Sequence, residues 1–171
     1  MSDINVISRM QKIIVDAASN SVSVINIGPQ GPGFWQNGVP YTVSGGTTGT
    51  QPTFSGTPLF TGYKVQMGQL IYFQINVEFD NITSFGTGQY YVSIPYNTQN
   101  GFMTRGGCLH DASTNKQYSI GGHVNPGSNL MYLSYIGSNG HDDEFDHNSP
   151  VTLTTADSFH ISGWYLKQNN N

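Results

Sequence analysis

The chain is poor in charge: Lys, Arg, Asp and Glu together make up 9% of its 171 residues. Its basic residues stand singly, as Arg9, Lys12, Lys64, Arg105, Lys116 and Lys167. Nucleic-acid binding draws on a clustered basic stripe to neutralise phosphates, and the sequence lacks that electrostatic footprint, so no nucleic-acid partner is expected. Cysteine is almost absent too. The lone Cys108 can form no internal disulfide, and no Cys pair stands at zinc-binding spacing. Long hydrophobic runs are also lacking: no segment approaches the roughly 20 apolar residues of a membrane-spanning helix. The N-terminal MSDINVISRMQKIIV has no basic region followed by an apolar run. Synthesis in a cytoplasm without membrane insertion is therefore the expectation.

What the chain does contain is 21 Gly, 10 Tyr and 9 Phe among many Asn, Ser and Thr. That balance supplies strands and turns and starves helices. Few charges beside many aromatics also point to a surface partly covered by neighbouring chains, hence to oligomerisation.

Three segments organise the chain. Residues 1–27 hold three β-like runs, INVIS, KIIVD and SVSVINI, and read as a short β-rich N-terminal arm. Its apolar residues, among them Ile13, Val15, Val22, Val24 and Ile25, are too few for a core of their own, so pairing or docking with another chain is expected. Residues 28–53 read as a connector. Gly28-Pro29-Gln30-Gly31-Pro32-Gly33 forms two Gly-X-Y triplets, either a polyproline-like spacer or the stub of a collagen-like shaft. Phe34-Trp35 reads as an aromatic anchor or interface, and SGGTTGTQPT (residues 44–53) as a flexible loop. Residues 54–171 carry strand signals at the spacing of a sandwich.

The clearest strand is residues 70–79, where Ile71, Phe73, Ile75, Val77 and Phe79 alternate with polar or amphipathic neighbours. Shorter runs occur at residues 89–94, 102–111, 117–124, 130–136, 151–154 and 159–166, separated by turn-forming Gly, Asn, Pro and Ser. The predicted fold is all-β: an antiparallel β-sandwich, jelly-roll-like, behind the arm.

Candidate chemistry is sparse. His141, Asp142, Asp143, Glu144, Asp146 and His147 form the one dense polar cluster, readable as a divalent-cation site, a solvated loop tip or a partner contact. Its spacing fits no EF-hand, so no cofactor is assigned. His110, His123 and His160 fall inside predicted strands, where they make either a three-His site or ordinary cross-strand partners. Carboxylates for glycoside hydrolysis could be drawn from Glu78, Asp80 and Asp111, but nothing positions a pair, and no Gly-x-Ser-x-Gly elbow is present. An enzyme is not expected. Strand-borne aromatics, chiefly Tyr72, Tyr91, Tyr132 and Trp164, offer a binding surface, either between subunits or for a glycan.

Four segments resemble virion structural proteins of tailed bacteriophages, of the tail-fibre, minor-tail and decoration type. They are VISRMQKIIVDAASNSVSVINIGPQGP (residues 6–32), GYKVQMGQLIYFQINVEF (62–79, with Tyr63 and Gly68), GTGQYYVSIPY (86–96) and SPVTLTTADSFHISGWYL (149–166, with Asp157 opening a turn). The resemblance implies a homotrimer on the virion, made in the host cytoplasm. Its arm would dock to other virion proteins and its sandwich would face outward, toward a host receptor or surface glycan. Attachment to the tail as a fibre component and attachment to the head as a decoration protein both remain open. The chain departs from long fibres in lacking heptads or an extended Gly-X-Y array.

Overall fold

A computed structural model describes residues 38–168 in full, together with the backbone of three strands nearer the N-terminus. The chain divides into two compact units, Met1–Gly38 and Val39–Asn171. In the first, β1 (Asn5–Ser8), β2 (Gln11–Asp16) and β3 (Ser21–Asn26) form an antiparallel sheet in the order β1-β2-β3. Ile13 stands opposite Val24, Val15 opposite Val22, and Ile25 opposite Lys12. The Gly-Pro triplets and Phe34-Trp35 lie outside the described residues.

The second unit is built from β4 (Val39–Tyr41), β5 (Gly45–Thr47), β6 (Thr53–Phe54), β7 (Leu59–Met67), β8 (Leu70–Glu78), β9 (Ile82–Ser84), β10 (Tyr90–Ser93), β11 (Phe102–Asp111), β12 (Lys116–Val124), β13 (Leu130–Ile136), β14 (Asp142–Glu144) and β15 (Ser158–Leu166). All pairings are antiparallel. The main sheet runs β4-β7-β8-β15-β11-β12-β13-β10-β5, with β14 added beside β13; β6 and β9 form a small separate pair. The ends of this order, β4 and β5, are neighbours in sequence. A link of residues 42–44 joins them, so the sheet must curl until its two margins meet. Ser93 is met from both sides of this link: Ser44 continues the β5–β10 ladder, its carbonyl accepting from Ser93 N (2.7 Å) and its N–H donating to Ser93 Oγ (2.8 Å), while the Tyr41 hydroxyl from the end of β4 donates to Ser93 O (3.4 Å).

Curling creates the core. The predicted alternation in residues 70–79 holds, with Ile71, Phe73, Ile75, Val77 and Phe79 at most 1% exposed. This inward row and Phe159 beside it on β15 meet the opposite layer through aromatic contacts, Phe79 with Tyr90 at 6.1 Å and Phe159 with Phe145 at 5.8 Å between ring centroids. Each such burial contributes about 1.5–3 kcal/mol. The fold is therefore an all-β, antiparallel, sandwich-like one. The β7–β8 hairpin closes through Gly68, whose φ of 64° suits a residue without Cβ.

Three expectations change. Residues 44–53, read as a flexible connector, contribute β5 and the start of β6, and β4 also lies before residue 54. Glycine lowers strand propensity, yet in β5 it suits the packing: a Cβ on Gly46 would displace the Gln51 amide oxygen and the Tyr91 hydroxyl. Residues 151–154 form no strand. There Asp157 captures the backbone, Thr154 N donating to Asp157 Oδ2 (2.6 Å), while Leu153 N donates to His147 O (2.8 Å). Finally, the acidic run is not simply a loop tip. Asp142–Glu144 is the edge strand β14, held by pairing with β13 and by the fully buried Phe145 that follows it.

Candidate functional site

Antiparallel partners that stand directly opposite project to the same side of a sheet. The register therefore sets Gly46, Tyr91, Tyr132, His123 and Met103 in one row across β5, β10, β13, β12 and β11. Within it the Tyr91 and Tyr132 rings meet edge to face at 6.0 Å, and His123 stacks on Tyr132 at 5.5 Å and 23°. His123, Tyr132 and Tyr91 are half-buried and Met103 is exposed, so the row forms a shallow shelf on the outer face.

Beside the shelf lies a cleft of about 330 Å³, lined by Gln89, His123, Ser134, Asp142, Asp143 and Glu144. Strand β14 brings the carboxylates there by continuing the edge of β13 where β10 leaves off. A bulge helps to shape the far wall. The β11–β12 register slips between Thr104 and Gly107, leaving Arg105 and Gly106 against a single partner residue. The Arg105 stem then passes over Gly121, where a Cβ would come within 3.0 Å of it. Its guanidinium pairs with Asp142 by two contacts, Nη1 with Oδ1 and Nη2 with Oδ2, the latter at 2.6 Å.

The polar groups in the cleft are incompletely used. Gln89 Nε2 donates to Leu133 O (2.9 Å), which turns the amide and leaves its oxygen as an acceptor. Ser134 is only 5% exposed, yet its hydroxyl makes no hydrogen bond among the described residues. Asp143 likewise has no side-chain partner there and packs over Gly137.

Two clusters separated in sequence, the tyrosines and the acidic run, thus meet on one face. The rest of the candidates do not join them. His141 is exposed, and His147 Nε2 sits 2.9 Å from Asn148 Nδ2. Among the described residues no three His, Cys, Asp or Glu side chains converge as a metal-binding group. His110 and His160 lie along β11 and β15, whereas His123 pairs with Met103 and Tyr132. The cleft residues Gln89, His123 and Ser134 carry no motif. The available signal was the period-two spacing that sets Ser134 on the same side as Tyr132.

A second exposed surface occupies the outer face of the other layer. Val65, Tyr72 and Trp164 stand in one cross-strand row, and Met67, Leu70 and Leu166 in the next. Trp164 is 47% exposed, with its ring 4.8 Å from that of Tyr72, and Leu166 is 44% exposed. None of these six residues is charged. Nearby, buried tyrosines act as internal ties: the Tyr165 hydroxyl accepts from Tyr96 N (2.9 Å) and donates to Tyr96 O (3.1 Å), and burial pushes its phenol well above the usual range.

The buried carboxylates have structural partners. Asp157 Oδ1 accepts from Ala112 N (2.8 Å) and Oδ2 from Thr154 N, joining two turns. Asp111 Oδ2 accepts from the Thr114 hydroxyl (2.6 Å), and Oδ1 from the Ser113 hydroxyl (2.7 Å) and the backbone of both residues. The Thr114 hydroxyl, then that of Ser113, lead in holding its carboxyl below the usual carboxylate range.

These features define an all-β, sandwich-like domain with an acidic cleft beside an aromatic row on one outer face and an uncharged apolar patch on the other. Comparison of the chain with protein-family models, with curated proteins and with solved structures gave no match in any of the three.

Proposed function

We propose that this chain is a non-catalytic structural component of a bacteriophage particle, a homotrimer of tail-fibre or minor-tail type whose sandwich faces outward and contacts the host. The observation that carries assembly is the patch around Trp164. Exposed aromatic and aliphatic side chains on adjoining rows favour burial against another surface. Because the patch is uncharged, a copy of the same chain can cover it without bringing like charges together. The N-terminal unit supports a division of labour: its short sheet offers β1 and β3 as edges to which a partner virion protein can add a strand. The four segments that resemble phage virion proteins support the setting.

The test is made on particles. Deleting residues 1–28 should leave a folded sandwich that is no longer incorporated, as judged by mass spectrometry of purified virions. Normal incorporation of the shortened chain would overturn the docking role. Finding the chain at high copy on heads alone would favour a capsid decoration protein instead.

A further inference from the structure

We infer that the turn joining β13 to β14 is a self-modifying site: the backbone nitrogen of Gly140 attacks the Asn139 side chain, the amide is lost, and the product loosens β14. The inference is independent of any place on a virion.

Asparagine followed by glycine is the pairing for this chemistry, because a residue without Cβ leaves its own nitrogen open to the preceding side chain. The chain has three such steps, at Asn37, Asn100 and Asn139, of which Asn37 lies outside the described residues. Asn100 and Asn139 are both exposed, but their surroundings differ. Gly101 is hemmed in, since a Cβ on it would stand 2.9 Å from Val124 O and 3.0 Å from Pro126 Cδ. The Asn100 side chain makes no hydrogen bond among the described residues. Gly140 instead has a φ of 79° and open space where a Cβ would stand, so its peptide has room to turn. The Asn139 side chain folds back along the turn, its Oδ1 accepting from His141 N (2.9 Å). That donor polarises the side-chain carbonyl and faces the oxygen on which negative charge develops during attack, as an oxyanion hole does. The opposing contact is a single turn bond, Gly140 N donating to Gly137 O (2.9 Å), which opens before attack.

In the reaction Gly140 N gives its proton to hydroxide and bonds to Asn139 Cγ. The Cγ–Nδ2 bond breaks, and Nδ2 leaves as ammonia with a proton from water. The succinimide ring so formed adds water at either carbonyl. Opening at Cγ gives aspartate; opening at the main-chain carbonyl gives isoaspartate, with the chain now running through the side-chain carbon. An amide and a water have become a carboxylate and an ammonium, without oxidation or reduction.

Both products act on β14. Isoaspartate adds a methylene to the main chain inside a turn closed by two bonds, Gly140 N to Gly137 O and Gly137 N to His141 O (both 2.9 Å). Aspartate keeps the chain but sets a carboxylate beside that of Asp143, since Asn139 Oδ1 and Asp143 Oδ2 both lie against Gly137. The nearby Arg105 is already paired with Asp142. Because β14 is three residues long, a disturbed first rung, Ile136 with Asp142, reaches all of it.

The full-length chain is aged in mildly alkaline, ammonium-free buffer, and each step is followed by peptide mapping with electron-transfer fragmentation, which separates aspartate from isoaspartate. Asn139 should lose its amide about tenfold faster than Asn100, with isoaspartate as the main product. In concentrated urea the two rates should converge, because both residues precede glycine and the fold no longer distinguishes them. 15N spectra of the aged folded chain should show new amide positions for residues 136–145 and unchanged ones in β8. Asn139→Gln, which keeps an amide but would have to close a larger ring, should leave the β14 amides unshifted through the same ageing. The inference is overturned if Asn100 matches or outpaces Asn139 in the folded chain, if the difference persists in urea, or if the deamidated chain keeps its β14 amide positions.

Discussion

Replacing Trp164 by glutamate separates assembly from folding. In the isolated sandwich the indole is 47% exposed, and its main neighbour in the same sheet is Tyr72. Losing that aromatic contact costs the single chain about 0.5–1.5 kcal/mol. Covering the exposed half in an interface would remove about 120 Å² from water, which at about 25 cal/mol per Å² stabilises each protomer by about 3 kcal/mol. For three protomers this amounts to about 9 kcal/mol, or roughly six to seven decades in the association constant. The midpoint concentration of a monomer–trimer equilibrium varies as the inverse square root of that constant, so Trp164→Glu should raise it by about three decades. Burying the new carboxylate would add to the loss. Sedimentation velocity over a concentration series reads the midpoint, and thermal unfolding of the dilute chain checks the fold. If the wild-type chain is monomeric throughout, or the variant assembles at the same concentration, the Trp164 patch is not the subunit interface.

Two further predictions concern the carboxylates that hold the turns. Asp157→Ala removes the acceptor of two backbone N–H groups, and at about 1.5–3 kcal/mol for each such bond it should destabilise the sandwich by about 3–6 kcal/mol. Urea denaturation measures this, and a loss below about 1 kcal/mol would mean that water replaces both bonds. Asp111 has a lowered folded-state pKa, so its stabilisation is fully present above the unfolded carboxylate value near about 4 and is lost as pH falls through the folded value. Asp111→Asn should therefore flatten the acid limb of a stability–pH curve below about pH 4, and an unchanged limb would refute the assignment.

Much of the fold could be read from periodicity where the residues vote with one voice. In residues 70–79 every second side chain is large and apolar, and that row became the centre of the core. The run at residues 130–136 matches β13 for the same reason, while residues 102–111 match β11 through their bounding turn signals rather than through a clean alternation. Strands whose composition serves a neighbour were hidden. Gly45 and Gly46 look like a loop, yet in β5 Gly46 lies beneath the Tyr91 ring and Gly45 against Phe60 and Val92. Asp142–Glu144 looks like solvated charge, yet the buried Phe145 and the β13 ladder hold it extended. Tyr91, Tyr132 and the acidic residues were legible as separate candidates. Their meeting was not, because it depends on cross-strand register between segments far apart in sequence.

The shortness of the two margins has a consequence for life in a crowd. A long open sheet edge presents a ribbon of unpaired backbone donors and acceptors, a template for another copy of itself. Here the two ends of the main sheet, β4 and β5, are three residues each, which keeps that template small. Sandwiches concentrated side by side then recognise one another through side chains on their faces, which sequence can tune residue by residue, rather than through backbone, which is the same in every protein.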